Sequence, residues 1–398
     1  MKFLFTDAAF SYEALRAVAY TPYDGADLGE VVATAATIED GDLESWYSGW
    51  YGLAERTREI ADRAREAGHA ESARCAYLRA SNYFRTAEFF LVAGQPDEPR
   101  QLRTYRRGVD CFRQALEQST ISWQPVRIPY EGTTLDGHYL RAGAGPRRTL
   151  LAHGGFDSTG EEMYFAAGAA ALRRGWNCLL FEGPGQGAAL RERGLVLRPD
   201  WEAVVTPVLD FAPTLPGVDP DRIALLGMSL GGLLAPRAAA FEDRLAGCIA
   251  FDGMHSAAEV VLDALTGVAG GADPLETLES ALADLDAQPT SLRWLLSQAK
   301  WTLGASTAGE ILERLRESDL SGVAQKITCP TLVCDAEADH FTAATAQPQK
   351  LHAELTCPKE LMTFTAAEGA GEHCHMGAMT LFHQRAFDWL DETVPAQT

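Results

Sequence analysis

The sequence predicts an α/β protein in which an all-helical N-terminal region precedes a mostly parallel sheet. Before about residue 122, apolar residues recur every three or four positions, which is the spacing of one helix face. After it, short β-rich runs alternate with helical ones, as in parallel strands joined by helices. We therefore expect a helical domain at 1–122 and an α/β domain at 123–398.

The spacing of apolar residues predicts three helices in the N-terminal region. The first begins after Asp42, a suitable N-cap, and ends at Gly68. The second covers about 77–91, and the third begins after Pro99. Residues 1–40 lack this period, so we expect irregular structure there.

Eight runs after residue 122 are predicted strands. Several are nearly continuous apolar runs, which is typical of a sheet covered by helices on both faces. The predicted strands are 123–131, 135–142, 148–153, 176–182, 222–227, 246–252, 330–335 and 360–365. The intervening segments 161–174, 201–215 and 230–242 are predicted helices. Between about 254 and 325 the alternation lapses into helix-like sequence, and an insertion of that length is usually a cap over the site.

Composition limits the partners and the setting. The 398 residues carry 34 Lys+Arg against 55 Asp+Glu, a net charge of −21. Nucleic acid and anionic membrane surfaces are therefore poor partners. We expect a small-molecule substrate. No run of about 18 apolar residues occurs. In the opening MKFLFTDAAF, the apolar stretch before Thr6 is too short for a signal peptide. None of the eight cysteines forms a C-x-x-C pair, so we expect reducing cytoplasm and no disulfide framework.

The strongest motif is Gly227-Met228-Ser229-Leu230-Gly231, which lies between a predicted strand and a predicted helix. In a nucleophile elbow the two glycines allow a tight turn that lifts the serine Oγ above the sheet. The same pentapeptide also occurs by chance in simple turns, but its strand–turn–helix context favours a nucleophile. The amide of Leu230 would then be one donor to the oxyanion.

A second motif, His153-Gly154-Gly155-Phe156-Asp157, closes an earlier predicted strand. Small residues let the backbone approach a developing oxyanion, so we expect the amide of Gly155 or Phe156 to be the second donor. The alternative is a plain strand-to-loop turn.

A nucleophilic serine needs a base and an acid that orients it, and in this chain order both follow the serine. Asp339 is the favoured acid, because it lies in a loop after a predicted strand and can turn back toward the site. Asp335 and Asp252, at the ends of predicted strands, remain alternatives.

His373 is the favoured base, because a small-residue loop separates it from the last predicted strand. His375 is its competitor. The run from His373 to His375 includes Cys374 and therefore also suggests a metal site. That interpretation is disfavoured, since no third or fourth ligand has matching spacing.

Several segments together resemble one known family. They are HGGFDSTGEE, FEGPGQG, GMSLGG, DAEADHF and EGAGEHCHMGA, with ARCAYLRASNYFRTAEFFL in the helical region. They look like the α/β-hydrolase family of 2,6-dihydroxypseudooxynicotine hydrolase and the fungal pigment polyketide-shortening hydrolases. The resemblance covers essentially the whole chain. It implies the α/β-hydrolase fold, a mostly parallel eight-stranded sheet flanked by helices, with an N-terminal helical domain and a helical cap insertion.

The resemblance also implies a reaction. That family cleaves carbon–carbon bonds next to carbonyls without a metal or organic cofactor, which implies Ser229 as nucleophile, Asp339 as acid and His373 as base. It further implies a catalytic carboxylate at Asp157, where a relative has a glutamate that is one methylene longer. From the residues alone, Asp157 could equally cap the helix that starts near Glu161.

A dense aromatic cluster in the helical region suggests an aromatic or polyketide-like substrate, although most of it should be packing. Candidate substrate contacts are Trp46, Tyr83 and Met254. Three functions compete: a carbon–carbon hydrolase, an esterase, thioesterase or acyl-transferring cyclase of a biosynthetic intermediate, and a non-catalytic binding protein. The complete Ser–Asp–His set disfavours the third. A homodimer is an expectation from fold-level analogy alone.

Overall fold

A computed structural model of the chain describes residues 1–93, 98–269 and 273–396. The chain divides into two compact units, one made of residues 1–122 and 285–298 and the other of 123–284 and 299–398. The domains expected from the sequence, 1–122 and 123–398, differ from these units in the assignment of 285–298. They stay a prediction.

The first unit is helical. Its helices before residue 122 are α1 (Ala8–Ala19), α2 (Leu28–Ala35), α3 (Leu43–Glu66), α4 (Ala70–Glu88) and α5 (Pro99–Glu117). The expectation of irregular structure in 1–40 is wrong, because α1 and α2 form there. Asp7 and Asp27 cap them, since their carboxylates accept the N–H groups of Phe10 and Gly29. These helices are short, so their caps mark them better than the apolar period does.

Aromatic packing forms the core of this unit. The ring of Trp46 in α3 lies 4.4 Å from that of Phe10 in α1 and 5.2 Å from that of Phe90. Trp294, from the later segment of the unit, stacks on Phe89 with 4.6 Å between ring centroids. Large buried rings of this kind contribute much of the apolar area that a small helical unit needs.

The second unit contains a sheet of eight strands. They are β1 (Ser122–Tyr130), β2 (Thr133–Arg141), β3 (Arg147–His153), β4 (Asn177–Phe181), β5 (Val218–Met228), β6 (Gly247–Phe251), β7 (Thr331–Ala336) and β8 (Lys359–Phe364). Their order in the sheet is β1-β2-β4-β3-β5-β6-β7-β8. β2 pairs with β4 antiparallel, and every pair from β4 to β8 is parallel. The predicted mostly parallel sheet is confirmed, although β5 begins four residues earlier than predicted.

Helices connect these strands. They are α6 (Gly160–Met163), α7 (Ala169–Arg173), α8 (Gly187–Arg191), α9 (Glu202–Phe211), α10 (Gly231–Ala239), α11 (Ala257–Ala269), α12 (Pro274–Ala283), α13 (Thr290–Leu303), α14 (Ala308–Glu317), α15 (Gln347–Glu354) and α16 (Met379–Thr393). The predicted helix 161–174 is instead interrupted by a π-helical turn at Tyr164–Gly168. The insertion 254–325 contains α11 to α14, whereas its position as a cap stays a prediction. Within the described residues, no helix is both long and apolar enough to cross a bilayer.

The register of the parallel strands brings several loops to one edge of the sheet. His153 at the end of β3 pairs with Gly227 in β5, and Met228 pairs with Phe251 at the end of β6. Because the carboxyl ends of parallel strands meet at one edge, the loops that follow them converge there.

Candidate active site

Ser229 stands on a sharp turn between β5 and α10. Its φ is 63°, a left-handed conformation that residues with side chains rarely adopt. Its amide donates to the carbonyl of Phe251 at 2.9 Å, and its carbonyl accepts from Gly232 at 2.6 Å. A Cβ at Gly227 would collide with the carbonyl of Gly231, which is why the turn needs glycine there. The strained backbone holds the serine hydroxyl at the carboxyl edge of the sheet.

Ser229 is joined to His373 and Asp339 by a chain of hydrogen bonds. The Nε2 of His373 lies 2.9 Å from Ser229 Oγ, and its Nδ1 lies 2.7 Å from Asp339 Oδ2. A carboxylate only accepts, so Nδ1 carries the proton and Nε2 accepts the serine hydroxyl. The chain can therefore move the serine proton onto the imidazole.

The backbone orients the Asp339 carboxylate. Its Oδ1 accepts the N–H groups of Phe341 at 2.7 Å and Thr342 at 3.3 Å, which leaves Oδ2 for His373. Burial would raise the pKa of Asp339, but the facing His373 lowers it below its usual range. The carboxylate thus stays charged beside an imidazole that can become cationic.

The two alternative acids lie in different surroundings. The carboxylate of Asp335 accepts from Gln349 at 2.8 Å and Thr363 at 3.0 Å, and burial raises its pKa. Asp252 lies next to His373 instead, with its Oδ2 3.1 Å from Nδ1. Of the two alternatives, Asp252 is therefore the one that the structure brings to the imidazole.

His375 is fully buried away from the serine. Its ring stacks on Phe251 with 5.3 Å between centroids, and its Nδ1 lies 3.2 Å from the carbonyl of Ala370. Burial lowers its pKa and keeps the ring neutral. His373, rather than His375, is the histidine that contacts Ser229.

Gly155 lies against the residue that follows the serine. A Cβ on Gly155 would be 2.6 Å from the amide nitrogen of Leu230 and 2.8 Å from the carbonyl of Met228. Leu230 is also the N-cap residue of α10, at the end of the helix where the helix dipole favours negative charge. The amides of Leu230, Gly155 and Phe156 thus belong to two chain segments in contact, as an oxyanion site requires.

Gln186 holds the loop that contains Gly155. Its side-chain Nε2 donates to the carbonyls of Gly154 at 2.7 Å and Gly155 at 3.1 Å. The N–H of a planar trans peptide points opposite to its carbonyl. The N–H groups of Gly155 and Phe156 are therefore directed away from Gln186, and two such amides on one side form an anion-binding concavity.

His153 supports the same loop. Its Nδ1 lies 2.8 Å from the carbonyl of Gly154, and its Nε2 accepts the indole N–H of Trp201 at 3.2 Å. Burial lowers the pKa of His153 to about 4, so the ring is neutral at pH 7 and Nδ1 donates. Thr302 in α13 also reaches this loop, since its hydroxyl donates to the carbonyl of Phe156 at 3.4 Å.

Asp157 does not cap the helix that follows it. The N-cap of α6 is Thr159, whose hydroxyl accepts the N–H of Glu162 at 3.3 Å. The capping interpretation of Asp157 is therefore wrong, because the threonine two residues later has that role. Asp157 is half-buried in the loop after Phe156.

The three candidate substrate contacts lie in different units. Met254 is buried beside the elbow, and its amide donates to the carbonyl of Gly232 at 3.3 Å. Trp46 and Tyr83 are buried in the first unit. The indole of Trp46 donates to the carbonyl of Thr86, and Tyr83 donates to Glu30. Packing accounts for both rings, and their role as substrate contacts stays a prediction.

One group of possible metal ligands occurs among the described residues. Asp252, His373 and Cys374 offer atoms within 4.8 Å of one another. Asp252 accepts the amide of Cys374, and His373 Nδ1 faces Asp339. Burial raises the pKa of the Cys374 thiol to about 12, so it is protonated at neutral pH, whereas metals bind the thiolate. Hydrogen bonds account for this cluster.

The family of the chain follows from a comparison with known proteins. A sequence profile of the Alpha/beta hydrolase family matches residues 149–385. The chain belongs to the α/β-hydrolase family. The resemblance in the sequence motifs is confirmed, and the protein is an enzyme of this family.

Relatives in the α/β-hydrolase family match over nearly the full chain. Hydrolase LUC6 of a Fusarium species is 37% identical over 98% of this chain and 97% of its own length. The 20-hydroxy-prefusarin hydrolase FUS2 of Gibberella moniliformis is 34% identical over 98% and 97%. The crystal structure of 2,6-dihydroxy-pseudo-oxynicotine hydrolase superimposes with a TM-score of 0.74 over 95% of each chain at 22% identity. That last likeness shows the α/β-hydrolase fold alone.

The sequence did not predict the positions of two residues in the site. Gln186 lies inside the FEGPGQG segment, which carried the resemblance but no role for any single residue. A glutamine in a glycine-rich loop after a strand was the available signal. Asp252 was recognised only as an alternative acid, since no local pattern shows that two carboxylates meet one imidazole.

Proposed function

We propose that this α/β-hydrolase is a serine hydrolase in which Ser229, His373 and Asp339 act as a catalytic triad. We further propose that it cleaves a carbon–carbon bond next to a carbonyl in an aromatic or polyketide-like small molecule. The observation that carries the triad is the unbroken hydrogen-bond chain from Ser229 Oγ through both nitrogens of His373 to Asp339. The setting proposed is cytoplasmic, and a homodimer stays an expectation.

The reaction begins at the serine. His373 Nε2 removes the hydroxyl proton while Ser229 Oγ attacks the carbonyl carbon, and Asp339 stabilises the imidazolium that forms. The amide of Leu230 and that of Gly155 or Phe156 bind the oxyanion. This assignment uses groups whose positions are fixed before substrate arrives, so little reorganisation is needed at the moment of reaction.

The leaving group then departs as carbon. As the tetrahedral intermediate collapses, the bond from the carbonyl carbon to its neighbour breaks, and its electron pair leaves as an enolate. The imidazolium of His373 returns its proton to this carbanion, and an acyl group remains on Ser229. Water, deprotonated by His373, releases the acyl group as a carboxylic acid and restores the serine.

Asp157 is proposed to assist the transfer of the His373 proton to the carbon leaving group. A carbon leaving group is a poor one, and a carboxylate that orients the proton donor near it would help its departure. The side chain is short, so it would act through a water molecule when the leaving atom lies farther away.

The substrate class rests on the relatives. One is named a 20-hydroxy-prefusarin hydrolase and is 34% identical over 98% of this chain. Identity at that level over the full length supports a related substrate, and the sequence motifs supported the same class. An ester or thioester substrate needs no proton donor besides His373, so it is the outcome against which the carbon–carbon reaction is tested.

The first experiment asks whether Ser229 is a nucleophile. A fluorophosphonate probe should label the wild-type protein at Ser229, as mapped by peptide mass spectrometry. Ser229→Ala should not be labelled and should lose activity by about 10⁴ to 10⁶-fold. Ser256, a buried serine outside this chain of hydrogen bonds, provides the matched control Ser256→Ala, which should be labelled like wild type. An active and labelled Ser229→Ala protein would refute covalent catalysis.

The second experiment separates the two reactions. A 1,3-diketone and an aryl ester with the same acyl group should be compared by kcat/KM. Cleavage of the diketone that Asp157→Asn reduces more than ester cleavage supports the carbon–carbon reaction. Ester cleavage with no turnover of the diketone refutes it and leaves the esterase or acyl-transfer function.

A further inference from the structure

A second carboxylate lies at the same nitrogen of His373 that Asp339 contacts. Asp252, which directly follows β6, is 1% exposed, and its Oδ2 is 3.1 Å from His373 Nδ1. The corresponding distance from Asp339 is 2.7 Å. Asp252 Oδ1 is in turn 3.4 Å from Nε2 of His375. Asp252 therefore lies between the two buried imidazoles, at the side of His373 that faces away from Ser229.

The backbone around Asp252 is held in a costly conformation. Asp252 has a φ of 60°, and Cys374 and His375 have φ values of 53° and 52°. All three carry side chains in the left-handed region, which is sparsely populated for such residues. The amide of Cys374 donates to Asp252 Oδ2, so the strained segments are tied together through this carboxylate. Strain of this kind persists where the surrounding structure fixes it, and it is frequent at functional sites.

The position of Asp252 matters because His373 changes charge. When the ring takes the serine proton it becomes a cation with two carboxylates on its Nδ1 side. In a buried site a second negative charge stabilises that cation further and favours its formation. Asp252 would also raise the fraction of Nδ1–H tautomer in the resting ring, because only that tautomer can donate to either acid.

Three of the titratable groups near Asp252 are neutral at pH 7. Burial raises the pKa values of the Cys334 and Cys374 thiols and lowers that of His375, so all three are neutral. Burial also raises the pKa of Asp335, which lies beside Thr363. The groups that face Asp252 from β7, from the loop after β7 and from the segment 372–376 are Cys334, Asp335, Asp339, His373, Cys374 and His375.

We infer that Asp252 is a second acid of the site, a positioning residue that lies beside the His373 Nδ1–H bound by Asp339 and takes over this hydrogen bond when Asp339 cannot accept it. The inference rests on the proposed triad. It differs from it in one consequence: the site should tolerate the loss of Asp339 better than a triad with a single acid does.

The test compares Asp252→Asn, Asp339→Asn and the double variant. Asparagine tolerates a positive φ, and its oxygen can still accept the amide of Cys374, so the substitution removes charge with little other change. Two rates are measured against pH: labelling of Ser229 by the fluorophosphonate probe, and kcat/KM for the aryl ester. Asp335→Asn is the matched control, because it neutralises a neighbouring buried carboxylate that binds Thr363 and Gln349 instead of His373.

In Asp339→Asn alone, both rates should fall by about 10 to 10²-fold. In the double variant, the fall should approach the ~10⁴-fold loss of a triad without its acid. Asp252→Asn should shift the acid limb of the labelling profile to lower pH with KM unchanged, because the imidazolium has lost a stabilising charge. A purely structural role would lower the amount of folded protein without moving that limb. Asp335→Asn should keep the wild-type profile.

The outcomes separate this inference from the proposed function. Equal rates for Asp339→Asn and the double variant, in a wild-type protein that is labelled, would overturn the inference alone. A wild-type protein that the probe does not label would overturn the triad and this inference with it. If Asp252→Asn does not fold, Asp339→Asn decides by itself, since a loss of about 10⁴-fold or more leaves no task for a second acid.

Discussion

Asp339 and Glu182 are both almost completely buried, at 3% and 4% exposure, yet their pKa values move in opposite directions. Burial would raise the pKa of Asp339, but His373 lowers it. Burial also raises the pKa of Glu182, and there the neighbouring Glu161 raises it further, to about 8. The difference lies in the partner, since one carboxylate faces a ring that can become a cation and the other faces backbone amides and another acid.

The two carboxylates lie in two different parts of the site. Asp339 belongs to the base side, around His373, and Glu182 belongs to the oxyanion side, around the loop that contains Gly155. On the base side, the acids are arranged around His373 and their charge is part of the proposed chemistry. On the oxyanion side, Glu182 accepts the N–H groups of Gly160 at 2.8 Å and Ala188 at 2.7 Å, and Gln186 from the same loop holds the carbonyls of Gly154 and Gly155. Substitutions of the acids around His373 should therefore change how activity depends on pH. Substitutions around Gly155 should change activity because they displace the backbone amides.

The largest effect on the oxyanion side is expected from Gly155→Ala. The new Cβ would lie 2.6 Å from the Leu230 nitrogen, so the loop must move away from that amide. We expect kcat to fall by about 10² to 10³-fold, as when an oxyanion donor is lost, and the free energy of unfolding to fall by about 1–3 kcal/mol. Steady-state kinetics and urea unfolding measure the two effects. Gly309→Ala is the control, because nothing lies within 4 Å of its Cβ. Wild-type kcat in Gly155→Ala would contradict the proposed oxyanion site.

A smaller loss is expected from Gln186→Leu. It removes the donor to two carbonyls, so the amides of Gly155 and Phe156 lose their fixed direction, and we expect a loss of about 10 to 10²-fold in kcat. The diagnostic measurement is the ratio of rates for an ester and its thionoester, because sulfur accepts hydrogen bonds poorly. That ratio should shrink in Gln186→Leu.

Gln347→Leu is the matched control for Gln186→Leu. Gln347 is also fully buried, and its Oε1 accepts the amides of His255 at 3.0 Å and Ser256 at 2.7 Å. Its loss should lower stability to a similar extent while the ester-to-thionoester ratio stays at the wild-type value. A change in that ratio for both variants would mean that Gln186 acts through general stability alone.

Glu182→Gln is expected to have the smallest effect on activity but a clear effect on stability. Its pKa rises from an ordinary 4.5 to about 8 in the folded protein. The folded state therefore binds a proton that the unfolded state has lost, so this contribution to stability is complete below pH 4.5 and is lost as the pH rises to about 8. Urea unfolding of Glu182→Gln between pH 5 and 9 should show a flatter decline than wild type.

Glu242 provides the opposite case for that measurement. A hydrogen bond from Arg244 lowers the pKa of Glu242, so its contribution is present at neutral pH and is lost as the pH falls. Glu242→Gln should thus flatten the acid side of the stability profile and leave the alkaline side unchanged. An unchanged alkaline decline in Glu182→Gln would show that another group titrates there.

The sequence allowed most of the fold to be predicted, and its failures have local causes. The strands of the sheet are apolar runs between turn residues, a pattern that survives any tertiary arrangement. α1 and α2 were missed because short helices show little periodicity and depend on the capping carboxylates of Asp7 and Asp27. The π-helical turn at Tyr164–Gly168 was missed because it shares the apolar composition of a plain helix.

The site was less predictable than the fold. Ser229 lies in a motif whose glycines are needed for a local turn, so sequence alone selected it. Asp157 and Thr159 both suit a helix cap, and the sequence favoured neither. Gln186 and Asp252 act across the sheet on loops that are far away along the chain, and no spacing rule reports such contacts.

By itself, the sequence determined which segments form the strands and where the elbow serine stands, because these depend on local apolar patterning and on glycine. Only the tertiary structure decided which carboxylates reach His373 and which side chain turns the Gly155 and Phe156 amides outward. Those relations depend on how loops after β3, β4, β6 and β7 meet at one edge of the sheet. At that edge, a change of a few tenths of an ångström in a donor–acceptor distance decides whether two groups form a hydrogen bond.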